Sequence, residues 1–290
     1  METKFVVIKN EYLEVTLSTL GASIYRIIFD GKDMVLTPKD KNDFLKSDIY
    51  FGKTIGRLCG RIETNSLENY KFQENEKGVS LHGGFDGLST KEFMVDAKPT
   101  FAEFHYLSKD GEAGYPGNLI LRVHYELIDE SLIVSFFAVT DKPSLLSLTN
   151  HAYFCLGEST INNLSLHMEN EKYIVVNDRL LPVRYESIPE KWNFTKGKKL
   201  SETGDIDNYF LFKEKNVELK SKKYSLNINT NFVGTQLFTD HWPVDIKTYS
   251  SEQNSYRSIA IEPQDSQLER KKLLPNEHYE RYIEYTFKKL

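Results

Sequence analysis

With 290 residues, 40% of them apolar and 13% aromatic, the chain can bury about three-quarters of its unfolded surface without disulfides or structural metals, which excludes disorder and a stapled miniature fold. Its 37 Lys and Arg against 42 Asp and Glu leave a net charge of −5, which argues against a broadly basic nucleic-acid surface. No apolar run approaches the ~18–20 residues that cross a bilayer, residues 1–8 carry no signal-peptide core, and Cys59 and Cys155 form no C-x-x-C, so the expectation is a cytoplasmic protein with reduced thiols and neither nucleic-acid nor membrane partners.

Along the chain, period-two alternation carries the secondary-structure signal. Short alternating segments at 5–8 and 13–17 read as strands. Residues 40–47, shortly after Pro38, hold the best helical pattern, and it is short. Leu119, Leu121, Val123, Tyr125 and Leu127 then alternate with Ile120, Arg122, His124 and Glu126. Asp129-Glu130 turn the chain and Leu132, Val134, Phe136 and Ala138 resume the pattern, which predicts a hairpin. Segment 145–154 reads as a near-apolar strand, and the lysine-rich stretches 213–216 and 220–223 read as solvated turns. Further strands are expected at 232–238, 258–261 and 283–287. No βαβ pattern and no internal repeat interrupts them. The expected class is therefore all-β, a large antiparallel β-sandwich built as one domain over residues 1–290. The 18 Phe and 17 Tyr suit it, because aromatic side chains pack well on half-buried pleated surfaces.

Four segments combine ionisable or amide side chains with glycine or proline. Gly56-Arg57-Leu58-Cys59-Gly60-Arg61-Ile62 offers two guanidinium forks flanked by glycines that permit close backbone approach. Leu81-His82-Gly83-Gly84 sets an imidazole beside a free backbone. In Leu148-Thr149-Asn150-His151-Ala152-Tyr153-Phe154 two polar side chains interrupt an apolar strand, and burying them requires partners. Ile259-Ala260-Ile261-Glu262-Pro263-Gln264 ends an apolar strand on a carboxylate, with Pro263 expected to stop regular pairing. A desolvated Glu has a raised pKa and serves as a general base or acid near neutrality. His105, His124, His167, His241 and His278 lie in no such segment and read as structural or exposed, while Trp192 and Trp242 fit either a core or a rim position.

With Asp110-Gly111-Glu112-Ala113-Gly114-Tyr115-Pro116-Gly117-Asn118-Leu119 and Gln236-Leu237-Phe238-Thr239, these segments follow one family's order, and the chain resembles the aldose 1-epimerases, or galactose mutarotases. The resemblance implies a galactose mutarotase-like sandwich with a sugar cleft on the sheet surface. It implies a free aldose such as galactose or glucose as small-molecule partner, and no metal or organic cofactor. His151 would be the general acid toward the ring oxygen and Glu262 the base toward the C1 hydroxyl. Arg61, His82 and Asp207 would hydrogen-bond sugar hydroxyls, with Asp205 competing with Asp207, and Gln236 would help to hold the ring. The chain departs from the family pattern at Gly60, where many members carry Asn, at Asn208, where His is frequent, and along Gln264-Asp265-Ser266-Gln267. Alternatives are a hexose-phosphate mutarotase and a non-catalytic carbohydrate-binding protein on the same fold. A glycoside hydrolase ranks lowest, because it needs two carboxylates across the scissile bond and the evident partner of Glu262 is a histidine. The sequence names neither the preferred aldose nor an oligomeric state.

Overall fold

A computed structural model describes residues 2–290. Alternation does what the sequence requires in the strand Leu119–Ile128, where Leu119, Leu121, Val123 and Tyr125 are fully buried while the residues between them reach solvent. Its hairpin partner is Ser131–Thr140, with Leu119 opposite Thr140 and Ile128 opposite Ser131. The short helix is Lys41–Lys46, capped by Asp40, whose carboxylate accepts from the Asn42 backbone N–H.

Thirteen strands form the main sheet. From one edge it runs Tyr153–Phe154, Ile259–Gln264, Gly234–Thr239, Asp207–Lys220, Tyr224–Thr230, Tyr279–Lys289, Ser131–Thr140, Leu119–Ile128, Phe101–Ser108 and Met94–Ala97. Ser165–Val176, with its small partners Pro182–Ser187 and Lys198–Lys199, joins at Asp207–Lys220. A second sheet of four strands, Phe5–Lys9, Leu13–Ser18, Ser23–Phe29 and Lys32–Asp33, shares one apolar core with it, from Ile8, Val15 and Ile27 to Val123, Phe136 and Phe287. The Tyr125 hydroxyl crosses that core to donate to the Ala22 carbonyl at 2.6 Å.

Three expectations need correction. Segment 145–154 is not one strand but three, Ser144–Leu145, Thr149–Asn150 and Tyr153–Phe154, paired with Lys272–Leu273, Thr54–Ile55 and Ile259–Gln264 respectively. Residues here are buried whichever way they point, so the apolar run carried no sign of the breaks. Residues 213–216 are not a turn. They lie inside Asp207–Lys220, which pairs with Gly234–Thr239 through Leu211 and with Tyr224–Thr230 from Asn216. The exposed lysines mark the stretch where the strand changes partner and its other neighbour shifts register. Pro263 does not end its strand either, standing opposite Thr235. The neighbour Tyr153–Phe154 reaches only as far as Ala260, so the missing N–H interrupts no second ladder. By contrast, Lys220 does end a strand and Ser221–Lys223 turn the chain.

Among the described residues no helix is long and apolar enough to cross a membrane. Cys59 and Cys155 are buried free thiols.

Candidate active site

The interruptions in segment 145–154 position the site. Pairing on either side holds residue 151 in a bend whose backbone N–H donates to the Lys53 carbonyl at 3.0 Å and whose carbonyl accepts from the Gly52 N–H at 2.9 Å. The neighbouring polar side chains find partners for their donors, while Asn150 Oδ1 stays without one. Asn150 Nδ2 donates to the Gly52 carbonyl and Thr149 Oγ1 to the Pro263 carbonyl, both at 2.7 Å. His151 thereby stands beside Glu262, Nε2 to Oε1 at 3.4 Å, with the two residues only 4% and 1% exposed.

Adjacent strands supply the facing groups. Glu262 lies opposite Gln236 and Gln236 opposite Tyr209, while Asp207 opens the next strand. From the other side, the hairpin Arg61–Glu63 and Val79–Leu81 brings Arg61, and His82 follows directly. The turn after His82 admits only glycine at Gly83, which has φ +91° and where a Cβ would lie 2.2 Å from the Gly56 carbonyl oxygen.

Arg61, His82, His151, Asp207, Gln236 and Glu262 thus line one cleft of about 240 Å³. Gln236 Nε2 donates to Asp207 Oδ1 at 2.7 Å. Arg61 is forked on Glu76 through Nε at 2.7 Å and Nη2 at 3.0 Å, leaving Nη1 4.0 Å from Asp207 Oδ2. Asp205 precedes the strand and instead accepts from the Tyr256 hydroxyl at 2.6 Å. The two arginines of the first motif separate: Arg57 is fully buried and clamps the Ser108 hydroxyl and the Ser108 and Gly117 carbonyls, away from the cleft. Trp192 is in the core, Trp242 is at the cleft rim, and none of the five other histidines lines the cleft.

Burial dominates the electrostatics. It pushes the His151 imidazolium down to about 3 and the Glu262 carboxyl well above its usual range, with the nearby Asp207 charge adding to the latter. The pair therefore shares one proton and favours its uncharged form. Tyr50 and Tyr153, with ring centroids 5.6 and 4.8 Å from that of His151, form part of the apolar wall responsible. His82 is also held neutral by burial, and its Nδ1 accepts from the Gly60 N–H at 3.2 Å. That contact assigns the ring proton to Nε2, so His82 presents a donor.

Donor atoms of His82, His151 and Glu262 lie within 4.8 Å of one another, close enough to hold a metal ion. The His82 tautomer works against that use, since one ring nitrogen accepts a hydrogen bond and the other bears the proton. The cleft suits hydroxyl groups better. His151 Nδ1, Glu262 Oε2 and both amide atoms of Gln264 are buried without partners. Each such group costs about 1–3 kcal/mol in the fold as it stands.

The model of the aldose 1-epimerase family matches residues 4–286. The chain belongs to this family. Its fold coincides with the crystal structure of a GalM/aldose epimerase homologue from C. elegans, with a TM-score of 0.93, 29% identity and full coverage of both chains. Human galactose mutarotase is 29% identical over 187 residues, 60% of this chain and 55% of that protein. Aldose 1-epimerase of Escherichia coli K12 is 30% identical over 192 residues, 62% of this chain and 54% of that one. These alignments span about half the length of the relatives. The large antiparallel β-sandwich expected from the family resemblance is the fold observed.

Sequence reasoning gave no role to Tyr50, Glu76, Tyr153, Asp240, Gln264 or Gln267, although all but Glu76 line the cleft. A signal existed for Gln264, two residues after Glu262 and hence on the same strand face. Tyr50 and Glu76 lie outside any alternating segment and reach the site through loops.

Proposed function

We propose that this chain is an aldose 1-epimerase that interconverts the α and β anomers of a free hexose such as galactose or glucose. The observation that carries this reading is the buried His151–Glu262 pair, 3.4 Å apart inside a cleft of hydrogen-bonding groups. Opening a hemiacetal removes a proton from the C1 hydroxyl and delivers one to the ring oxygen. In the reactive form Glu262 is ionised and His151 protonated, with sugar hydroxyls supplying the polar contacts that burial withheld.

Glu262 takes the O1 proton, the carbonyl forms at C1, the C1–O5 bond breaks toward O5, and His151 protonates that oxygen. The pair is left uncharged, the form burial favours, so the protein stabilises the ring-opened state. Rotation about C1–C2 presents the other carbonyl face and the transfers run backward. Positioned acid and base catalysis contributes roughly 10²–10⁴-fold, with orientation by Arg61, His82, Gln236 and Asp207 adding to it.

The pH profile follows from the direction of the shifts. The pair keeps its single proton until His151 gains a second near pH 3 or Glu262 loses its own well above the ordinary carboxyl range. We expect kcat/KM for galactose to stay flat through mildly acidic pH and to fall outside those limits. An acid limb centred near pH 6.5, the value of an unperturbed imidazole, would contradict the assignment.

Charge favours a neutral sugar over a phosphorylated one. With Asp240 paired to Arg257 and Glu262 holding the proton it shares with His151, the cleft wall carries Asp48 and Asp207 against Arg61, and Arg61 is already forked on Glu76. Polarimetry with α-galactose and glucose 6-phosphate side by side is expected to give a kcat/KM at least tenfold lower for the phosphate. Parity, or a preference for the phosphate, would overturn the free-sugar reading. The buried free thiols support a reducing, cytoplasmic compartment, and the apolar core running from Ile8 to Phe287 supports a single domain.

A further inference from the structure

Gly60 and the loop that follows the Glu262 strand meet in space. A Cβ built on Gly60 would lie 2.6 Å from Gln267 Cδ, 2.7 Å from its Oε1 and 2.8 Å from its Nε2, so the Gln267 amide occupies the space a side chain at residue 60 would fill. Gly60 has φ +73°, and Gln267 lines the cleft.

The orientation of that amide is fixed by a relay. Asp207 Oδ1 accepts from Gln236 Nε2 at 2.7 Å, which turns Gln236 Oε1 outward, and that oxygen accepts from Gln267 Nε2 at 3.2 Å. The carboxylate charge thus sets both amides, and Gln267 Oε1 is left as an acceptor at the end of the chain. The loop holding it is anchored on both sides. Ser266 Oγ bonds the Tyr185 hydroxyl at 2.6 Å and accepts from the Leu268 and Glu269 N–H groups, and Arg270 Nη2 donates to the Arg61 carbonyl. Asp265 accepts from Tyr279 and Arg281.

We propose that Gln267 is a specificity-determining sugar contact, its Oε1 accepting from one hydroxyl of the bound hexose beside Arg61. This rests on the aldose reading above and adds a residue to it. Gly60 is required because any side chain there would displace the amide.

The test uses Gln267→Met, similar in shape and without the acceptor, with galactose and its 2-, 3-, 4- and 6-deoxy analogues. Loss of one neutral hydrogen bond is expected to raise KM about two- to tenfold with kcat within about twofold. One deoxy sugar should be bound equally well by both proteins, identifying the hydroxyl. An unchanged KM for every sugar, or an equal loss for every sugar together with a lowered Tm, would overturn the proposal. If Gln267→Met does not fold, Gln267→Ser serves in its place with the same outcomes. Calorimetric titration of the same sugars separates the two readings. Sugar binding weakened by the substitution, on a wild type that does not accelerate anomerisation, counts against the acid-base reading alone, and no sugar binding at all overturns both.

Discussion

Glu262→Gln is expected to lower kcat for galactose anomerisation by about 10²–10⁴-fold while sugar binding changes by less than about threefold. The amide preserves the side-chain shape at a site that is 1% exposed but cannot take the O1 proton. The same change is expected to raise the Tm. Glu262 has a folded-state pKa above its unfolded value, so the folded protein binds the extra proton, and stability is lost as pH rises from about 4.5 through the folded pKa. The amide has no proton to lose, so the variant's advantage should grow over that window. Polarimetry, calorimetry and thermal melts at pH 5 and pH 8 read all three effects. A variant with near wild-type kcat contradicts the base assignment, and one whose Tm advantage is absent at both pH values contradicts the burial argument. His151→Asn should lose activity to a similar extent, because the ring oxygen then lacks its proton donor.

Arg257→Met is expected to cost about 3–5 kcal/mol of stability, the range for breaking a buried ion pair from one side. Arg257 is fully buried, with Nε 2.7 Å from Asp240 Oδ2, and its Nη1 donates to the Ile246 carbonyl at 3.2 Å. Burial already holds the Asp240 carboxyl above its usual range despite the guanidinium, and removing that partner raises it further. A raised carboxyl contributes least at high pH, so the deficit of the variant should narrow toward acid. Adding Asp240→Asn should recover much of the loss by removing the unpaired charge. Because Asp240, Trp242 and Val244 line the cleft, KM should also rise. Denaturant unfolding at pH 7 checks the magnitude, and a variant as stable as wild type would show that the pair does not hold this wall.

The hairpin 119–138 was legible because its strands bury one face and expose the other, so the alternation survives in the sequence. Segment 145–154 was not, because residues buried on both sides leave no period to read. The lysines at 213–215 signalled solvent, but solvent here means the bend of a long strand rather than its end. At the site, six side chains picked from separate motifs surround one cleft, yet spacing could not choose between Asp205 and Asp207, since residues two apart share a strand face. The choice follows from where the strand begins, with Asp207 inside it and Asp205 turned to Tyr256. Gln267 lay beyond sequence reasoning because its position depends on a glycine two hundred residues earlier.

The most direct test of the central claim is the optical rotation of freshly dissolved α-galactose, followed with wild-type protein, with Glu262→Gln and with buffer. Relaxation much faster than buffer for the wild type, and indistinguishable from buffer for the variant at equal concentration, is the predicted result. Equal rates in all three, or equal acceleration by both proteins, would contradict it.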